Sequence, residues 1–303
     1  MLSGIMLRLA IASALLLGPA LPLQQPKPDE KPAAPDVVAF YHENGVKARE
    51  GRLVHGRREG VWKGWYDSGA PQYEGAFHDY HREGRWVYWE LSGRKKMEGE
   101  WTHGYRSGTW TFFNDNGEKQ TEGPYDAGRR SGHWISWTPE GRKLKEGDYR
   151  LGVRQGNWTN YFPDTGEKWS EGPYENNLEE GVWKRWHKNG KLEFEGRFSH
   201  NLEEGPWKRY REDGQLEAEG SYVRGKMDGE WTGYHPNGQK SYHGTMRVGQ
   251  GVGPWMHWYP NGQKKAEGYL DGGKRSGAWR MWHEDGSPDE ELSGNYIDGV
   301  KQP

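Results

Sequence analysis

The sequence predicts an all-β fold, an elongated single-layer antiparallel sheet of repeated β-hairpins. Three observations carry this prediction. A tryptophan recurs at Trp62, Trp86, Trp110, Trp134, Trp158, Trp183, Trp207, Trp231, Trp255 and Trp279, with a step of 24 residues and one step of 25. Asn-Gly or Asp-Gly recurs in phase with it, at Asn44-Gly45, Asn116-Gly117, Asn189-Gly190, Asp213-Gly214, Asn237-Gly238, Asn261-Gly262 and Asp285-Gly286. A second glycine falls midway between successive turns of this kind, at Gly56, Gly104, Gly128, Gly152, Gly225, Gly249 and Gly273. A fixed period in this range marks a repeat array. Turns at the half-period leave about ten residues for each strand, and about eleven 24-residue copies fit the chain.

Composition agrees with an ordered array. Mean hydropathy is −1.16, which in a highly charged chain poor in aromatics would mean disorder. Here the formal net charge is −2, and 18 Trp and 17 Tyr are present, so aromatic rings do the burial that aliphatic side chains do elsewhere. Basic and acidic residues alternate in every repeat, and no nucleic-acid partner is expected without a basic patch. The absence of cysteine excludes disulfides, thiolate metal sites and a thiol nucleophile.

Taken in order, residues 1–20 read as a signal peptide. Arg8 supplies the positive charge, Leu9 to Leu17 the apolar run, and Gly18-Pro19-Ala20 the break and the small residue for cleavage. The run is too short for a comfortable membrane span. Export after cleavage is therefore expected, to the periplasm, cell surface or medium; an uncleaved membrane anchor is the alternative. Residues 21–36 form a Pro-rich disordered linker. The repeat array occupies 37–299, and 300–303 form a tail. The first copy is degenerate, with Val38 in the tryptophan's place, as suits a terminal repeat. The extra residue of the 25-residue step lies before Gly166, inside the first turn, and two more lie around Ser287-Pro288-Asp289.

The glycines suggest a register. A type I′ turn centred on Asn116-Gly117 pairs Trp110 with Gly123 and Gly108 with Tyr125. A type II′ turn at Gly128-Arg129 then pairs Gly123 with Trp134 and Tyr125 with Gly132. Each large ring would sit beside glycines on both neighbouring strands, as in aromatic rescue of glycine, which makes the tryptophan row structural. A second aromatic follows each tryptophan by three residues: Trp65, Trp89, Phe113, Trp137, Tyr161, Trp186, Tyr210, Tyr234, Trp258 and Trp282. Alternation along a strand places it on the opposite face. With polar neighbours, this second row is the candidate binding stripe. Glu195 should face Lys184 there, and Glu219 should face Lys208.

No catalytic, cofactor-binding or metal site is expected. His42, His187, His235 and His283 lie many strands apart and read as solvent-facing polar positions. The Glu that recurs before the repeat glycine (Glu74, Glu98, Glu122, Glu146, Glu171, Glu195, Glu219 and Glu267) has nearly one environment. An acid and its base or nucleophile need two.

The segments Tyr73-Glu74-Gly75-Ala76-Phe77, leading through Glu83-Gly84, and Tyr125-Asp126-Ala127-Gly128-Arg129-Arg130-Ser131-Gly132 resemble MORN (membrane occupation and recognition nexus) repeats. The tryptophan two after the last glycine departs from that pattern. With Trp-x-x-aromatic-x-x-Asn-Gly and a trailing Glu-Gly, the chain is more similar to the bacterial MORN-repeat variant. The resemblance implies a hairpin array for binding or scaffolding, with no catalytic residues. Members of the variant are often labelled antitoxins, which implies an antitoxin-like role with a toxin as partner; the export signal argues for a place outside the cytoplasm. A looser similarity to aromatic-rich cell-wall-binding repeats implies cell-wall glycan, or a membrane lipid headgroup, as an alternative ligand of the stripe. The leading expectation is an exported, non-enzymatic scaffold for protein–protein interaction at the cell envelope.

Overall fold

The computed structural model describes residues 37–303; the predicted signal peptide and Pro-rich linker lie outside the described residues. Among these residues there is no helix, and the chain forms one antiparallel meander. Each strand pairs with the next in sequence, from Val37–Tyr41 against Lys47–Val54 to Tyr296–Ile297 against Val300–Lys301. The array thus continues through two residues read as tail from the sequence. The sheet is open at both margins of the meander, as the repeat pattern predicts.

One repeat shows why. Tyr105–Phe113 runs out, Lys119–Asp126 returns, and the chain goes out again through Arg129–Arg130 and Gly132–Trp137. Trp110 pairs with Gly123 and Gly108 with Tyr125, as expected. The turn between them differs from the type I′ form. Gly117 N–H donates to the Asn114 carbonyl at 2.8 Å, and Asn114 N–H to that of Glu118 at 2.8 Å. Only Gly117 in this loop has positive φ, at +91°, so the loop is a type I turn closed by a left-handed glycine. Phe112 pairs with Thr121 but Phe113 with Lys119, which leaves Gln120 bulged out. Loop and bulge shift the register by one residue in opposite senses, and the predicted pairing of the strand body survives.

The asparagine has a different task from the one assigned to it. Asn116 Oδ1 accepts from Glu118 N–H at 3.0 Å, and its amide N–H donates to the Pro139 carbonyl of the next repeat. Asn44, Asn189, Asn237 and Asn261 make the same bond across 23 residues. The longer loop, Phe162 to Gly166, holds the extra residue of the 25-residue step, where it was placed from the sequence.

The second turn is the type I′ one. Ala127 and Gly128 both have positive φ, at 44° and 79°, and Asp126 pairs with Arg129. The turn is therefore centred one residue earlier than the type II′ turn expected. Beyond it the register slips by two residues before Glu122 meets Ile135. Gly132 takes up the slip with φ at +60°. This corrects the role of the glycine two before each tryptophan. It is a left-handed bulge residue; a Cβ on Gly108 would meet the Glu100 carboxylate at 3.2 Å, not the Tyr125 ring.

The other repeat glycine is a seat. A Cβ built on Gly123 would lie 2.4 Å from the Trp134 ring, and one on Gly99 would lie 2.3 Å from that of Trp110. Each indole leans back over the preceding strand, and the three atoms nearest a Cβ on Gly123 all belong to Trp134, although Trp110 is its partner on the other side. Trp110 Nε1–H donates to Glu100 O at 2.9 Å and Trp134 Nε1–H to Pro124 O at 2.9 Å, one residue past the seat in both cases. The ten tryptophans are only 0% to 8% exposed. Between them stand rings such as Tyr125, edge-on to Trp110 at 6.2 Å and to Trp134 at 5.2 Å. The core is this one-ring-thick ladder along one face. Burial of each indole removes a large apolar area from water, and edge-to-face contact adds about 0.5–1.5 kcal/mol per pair.

Candidate interaction surface

All ten second aromatics lie on the face opposite the tryptophan row, and all ten are half-buried. Lysines of the preceding repeat cover several of them. Lys119 Nζ stands 5.7 Å from the Trp137 ring centre, Lys168 5.3 Å from Trp186, and Lys47 5.4 Å from Trp65. Lys95, Lys143 and Lys264 approach Phe113, Tyr161 and Trp282 in the same way. Each of these lysines also pairs with the repeat glutamate three residues on, as Lys119 does with Glu122 at 2.7 Å and Lys143 with Glu146 at 2.9 Å. Three residues would put the partners on opposite faces of a regular strand; the bulge at Gln120 and its equivalents brings them together. The stripe is therefore a lattice of Lys–Glu–aromatic units.

The predicted cross-strand pairs have the expected register, Lys184 with Glu195 and Lys208 with Glu219. Lys208 reaches Glu219 at 3.8 Å, and Lys63 reaches Glu74 at 3.3 Å. Such exposed pairs contribute about 0–1 kcal/mol each, so they shape the surface more than they hold it.

Where the stripe residue is tyrosine, the carboxylate turns to it. Tyr234 O–H donates to Glu219 at 2.7 Å, and Tyr161 O–H donates to Glu146. Partial burial, reinforced by those carboxylates, pushes both phenols up to about 12. Glu122 and Glu146 are held below the usual carboxylate range: burial pushes them up, and bonds from Lys119 and Thr111, or from Tyr161 and Lys143, outweigh it. The signs follow. The raised phenols contribute stability intact below their unfolded value of 10.0 and lost as pH rises toward about 12. The lowered carboxylates contribute stability present above their unfolded value and lost as pH falls through the folded one. A spectrophotometric titration should show Tyr161 and Tyr234 ionising toward about 12, and Tyr234→Phe should remove one such step. Ionisation of both near 10.0 would refute the pairing with glutamate.

The histidines before the first turn are not simply solvent-facing. His42, His187 and His235 donate through Nε2 to the carbonyls of Trp65, Tyr210 and Trp258 at 3.0, 2.9 and 2.8 Å. Tyr66 and Tyr259 hydroxyls do the same in other repeats. Among the described residues, no three His, Asp or Glu side chains converge on a point that could hold a metal ion. A concavity of about 290 Å³ lies where Ala218 faces Gly233; its lining includes Trp231, Tyr242 and a single carboxylate, Glu217. One carboxylate offers no acid–base pair.

Two recurring features escaped the sequence reading although both keep the period. An acid three before the tryptophan accepts the N–H of the next second turn: Glu83 from His103 at 2.8 Å and Glu204 from Arg224 at 2.9 Å. An arginine four before the tryptophan stacks on the indole, as Arg130 does on Trp134 at 4.3 Å.

The chain matches the model of the MORN repeat variant six times, at residues 58–79, 106–127, 179–200, 203–224, 227–247 and 252–271. A comparison with characterised proteins finds no match. Among solved structures, TcdB2-TccC3-TEV is similar at 10% identity over 84% of this chain and 14% of that one, with a TM-score of 0.19. The Photorhabdus luminescens Tc holotoxin pore is similar at 9% identity over 88% and 16%, with a TM-score of 0.18. The chain spans less than a quarter of the length of either structure, and likeness at this level carries no argument.

Proposed function

This chain is a MORN-variant repeat protein, and from that premise we propose that it is an exported, non-enzymatic scaffold whose second aromatic row docks a protein partner at the cell envelope. The observation that carries the reading is the Lys–Glu–aromatic lattice. In six of the ten repeats it sets one half-buried ring beside one acid and one base. Protein interfaces favour such mixtures of aromatic anchors and polar rim. Glycan and lipid headgroup are the competing ligands of the same rings, and a toxin is the partner that the resemblance implies.

Neighbouring residues on opposite faces supply the test. A photoreactive side chain replacing Phe113, on the stripe, should crosslink a protein partner in cells, and one replacing Phe112, on the tryptophan face, should not. Crosslinking from Phe112 alone would sink the assignment of the face. Replacing Trp89, Trp137 and Trp186 together by alanine should abolish partner capture and lower stability by roughly 1–2 kcal/mol per ring, the contribution expected of half-buried indoles. Capture that persists in the folded triple variant would rule the stripe out. Retention of the chain on cell wall or liposomes, lost in the same variant, would favour glycan or lipid over protein. Export rests on residues 1–20 and is checked by fractionation of tagged cells.

A further inference from the structure

Arginine occupies the position four before the tryptophan in five consecutive repeats: Arg58, Arg82, Arg106, Arg130 and Arg154. The row lies on the tryptophan face, opposite the stripe. Each guanidinium sits between the indole of its own strand and a ring of the next. Arg82 Cζ is 5.0 Å from the Trp86 ring centre and 4.8 Å from Trp101; Arg106 is 4.5 Å from Trp110 and 5.4 Å from Tyr125. Arg58 and Arg130 are sandwiched alike, and Arg154 packs at 3.8 Å on Tyr174.

Stacking engages the flat faces of a guanidinium and leaves its N–H edges for planar acceptors. Other arginines of the array use those edges on carboxylates, among them Arg57, Arg85 and Arg185. Among the described residues, none of the five in this row forms an ion pair. Their edges make only long bonds: Arg106 donates to the Tyr125 hydroxyl at 3.4 Å and to Met97 Sδ at 3.6 Å, Arg130 to the Tyr149 hydroxyl at 3.3 Å, and Arg154 to the Asn177 carbonyl at 3.3 Å. All five are half-buried with a solvent-facing part. The run of five is bounded: Glu179 and Glu203 take the same position in the next two repeats, Met227 and Gly251 follow, and a single arginine, Arg275, returns between Trp279 and Tyr296 in the last copy. A nearly neutral chain thus carries a bounded line of five cations on an aromatic bed.

The spacing of the line selects its ligand. Two strands per repeat separate successive guanidiniums by about 10 Å. A polyproline II peptide advances ~3.1 Å per residue and returns to one face every third residue, or about every 9.3 Å. An acidic side chain at every third position therefore meets successive arginines, while intervening prolines lie against ring edges. Nucleic acid places a phosphate every ~3.4 Å along a strand, which leaves most of its charges between the arginines. The geometry points to a groove for an acidic, proline-rich extended segment of a partner protein, running across the strands from Arg58 to Arg154. This groove is independent of the stripe, and its failure leaves the reading of the stripe untouched.

Fluorescence anisotropy with the full chain tests it. A labelled peptide of five Glu-Pro-Pro units should bind about tenfold more tightly than a peptide of the same composition with its glutamates contiguous, a difference of ~1.4 kcal/mol. The combined Arg82→Gln, Arg106→Gln and Arg130→Gln variant should weaken the periodic peptide by at least about tenfold, with the larger effect at low salt. Near-UV circular dichroism of the tryptophans reports whether that variant is folded. If it is not, the Arg→Lys triple decides, since it keeps charge and loses the planar fork; it should bind more weakly than the natural chain. Equal affinity for the two acidic peptides, unchanged binding by the folded variant, or equal binding of single-stranded nucleic acid or anionic vesicles would each overturn the proposal.

Discussion

Gly123→Val is expected to destabilise the array by about 3 kcal/mol, the upper range for overpacking a well-filled site, as read from the midpoint of urea denaturation. The seat has no slack. A Cβ alone would lie 2.4 to 2.6 Å from three atoms of the Trp134 ring, and valine adds two methyl groups to it. The indole would have to lift from the strand, losing its N–H bond to Pro124 O and its edge contacts with Tyr125 and Tyr149. Gly117→Ala is the contrast. A Cβ there meets nothing within 4 Å, and only the backbone angle of +91° opposes it. That conformational term is about 1–2 kcal/mol. Equal effects at the two positions would show that Gly123 acts through its backbone and not as a seat.

Trp110→Ala should have an effect of comparable or greater size, about 3–5 kcal/mol for a fully buried indole. Trp110 is 0% exposed; it spans Trp101 at 5.5 Å and Tyr125 at 6.2 Å and donates to Glu100 O. The form of the transition matters as much as its midpoint. In a stack where each repeat contacts only its neighbours, stability is a sum of local terms. Loss of an interior ring, third of the ten in the row, should divide one melting transition into two unequal ones, one for each side. Trp279→Ala, near one end of the ladder, should leave a single main transition. Calorimetry distinguishes these outcomes, and a single sharp transition for Trp110→Ala would mean that coupling reaches past the nearest repeat.

Much of this was legible because the period repeats each signal ten times. The hairpin order, the seat at Gly123 and the two faces follow from spacing alone. The turns did not. Asn-Gly most often marks a type I′ turn, yet Asn116 serves a bond to the next repeat, a partner 23 residues away that local propensity does not register. Gly108 and Gly123 look alike in the sequence; one is needed for its backbone angle and the other for its missing side chain. The stripe was legible as a row of rings, but its cover was not. Lys119 reaches Glu122 only because Gln120 bulges, and a bulge that breaks the period of two hides such pairs from alternation rules.

The margins of the sheet carry one more consequence. Both rows of turns are tied from repeat to repeat, by Asn116 to Pro139 O on one side and by Gly128 N–H to Arg106 O at 2.9 Å on the other. The strands lie crosswise to the long axis, so tension along that axis pulls their ladder bonds apart in sequence, without shearing them together. Under load the array should peel from an end, one hairpin at a time. Each released 24-residue copy pays out about 80 Å of chain where it had spanned about 10 Å. Extension should therefore be graded, and optical-tweezer traces should show steps of about 70 Å for each 24-residue copy.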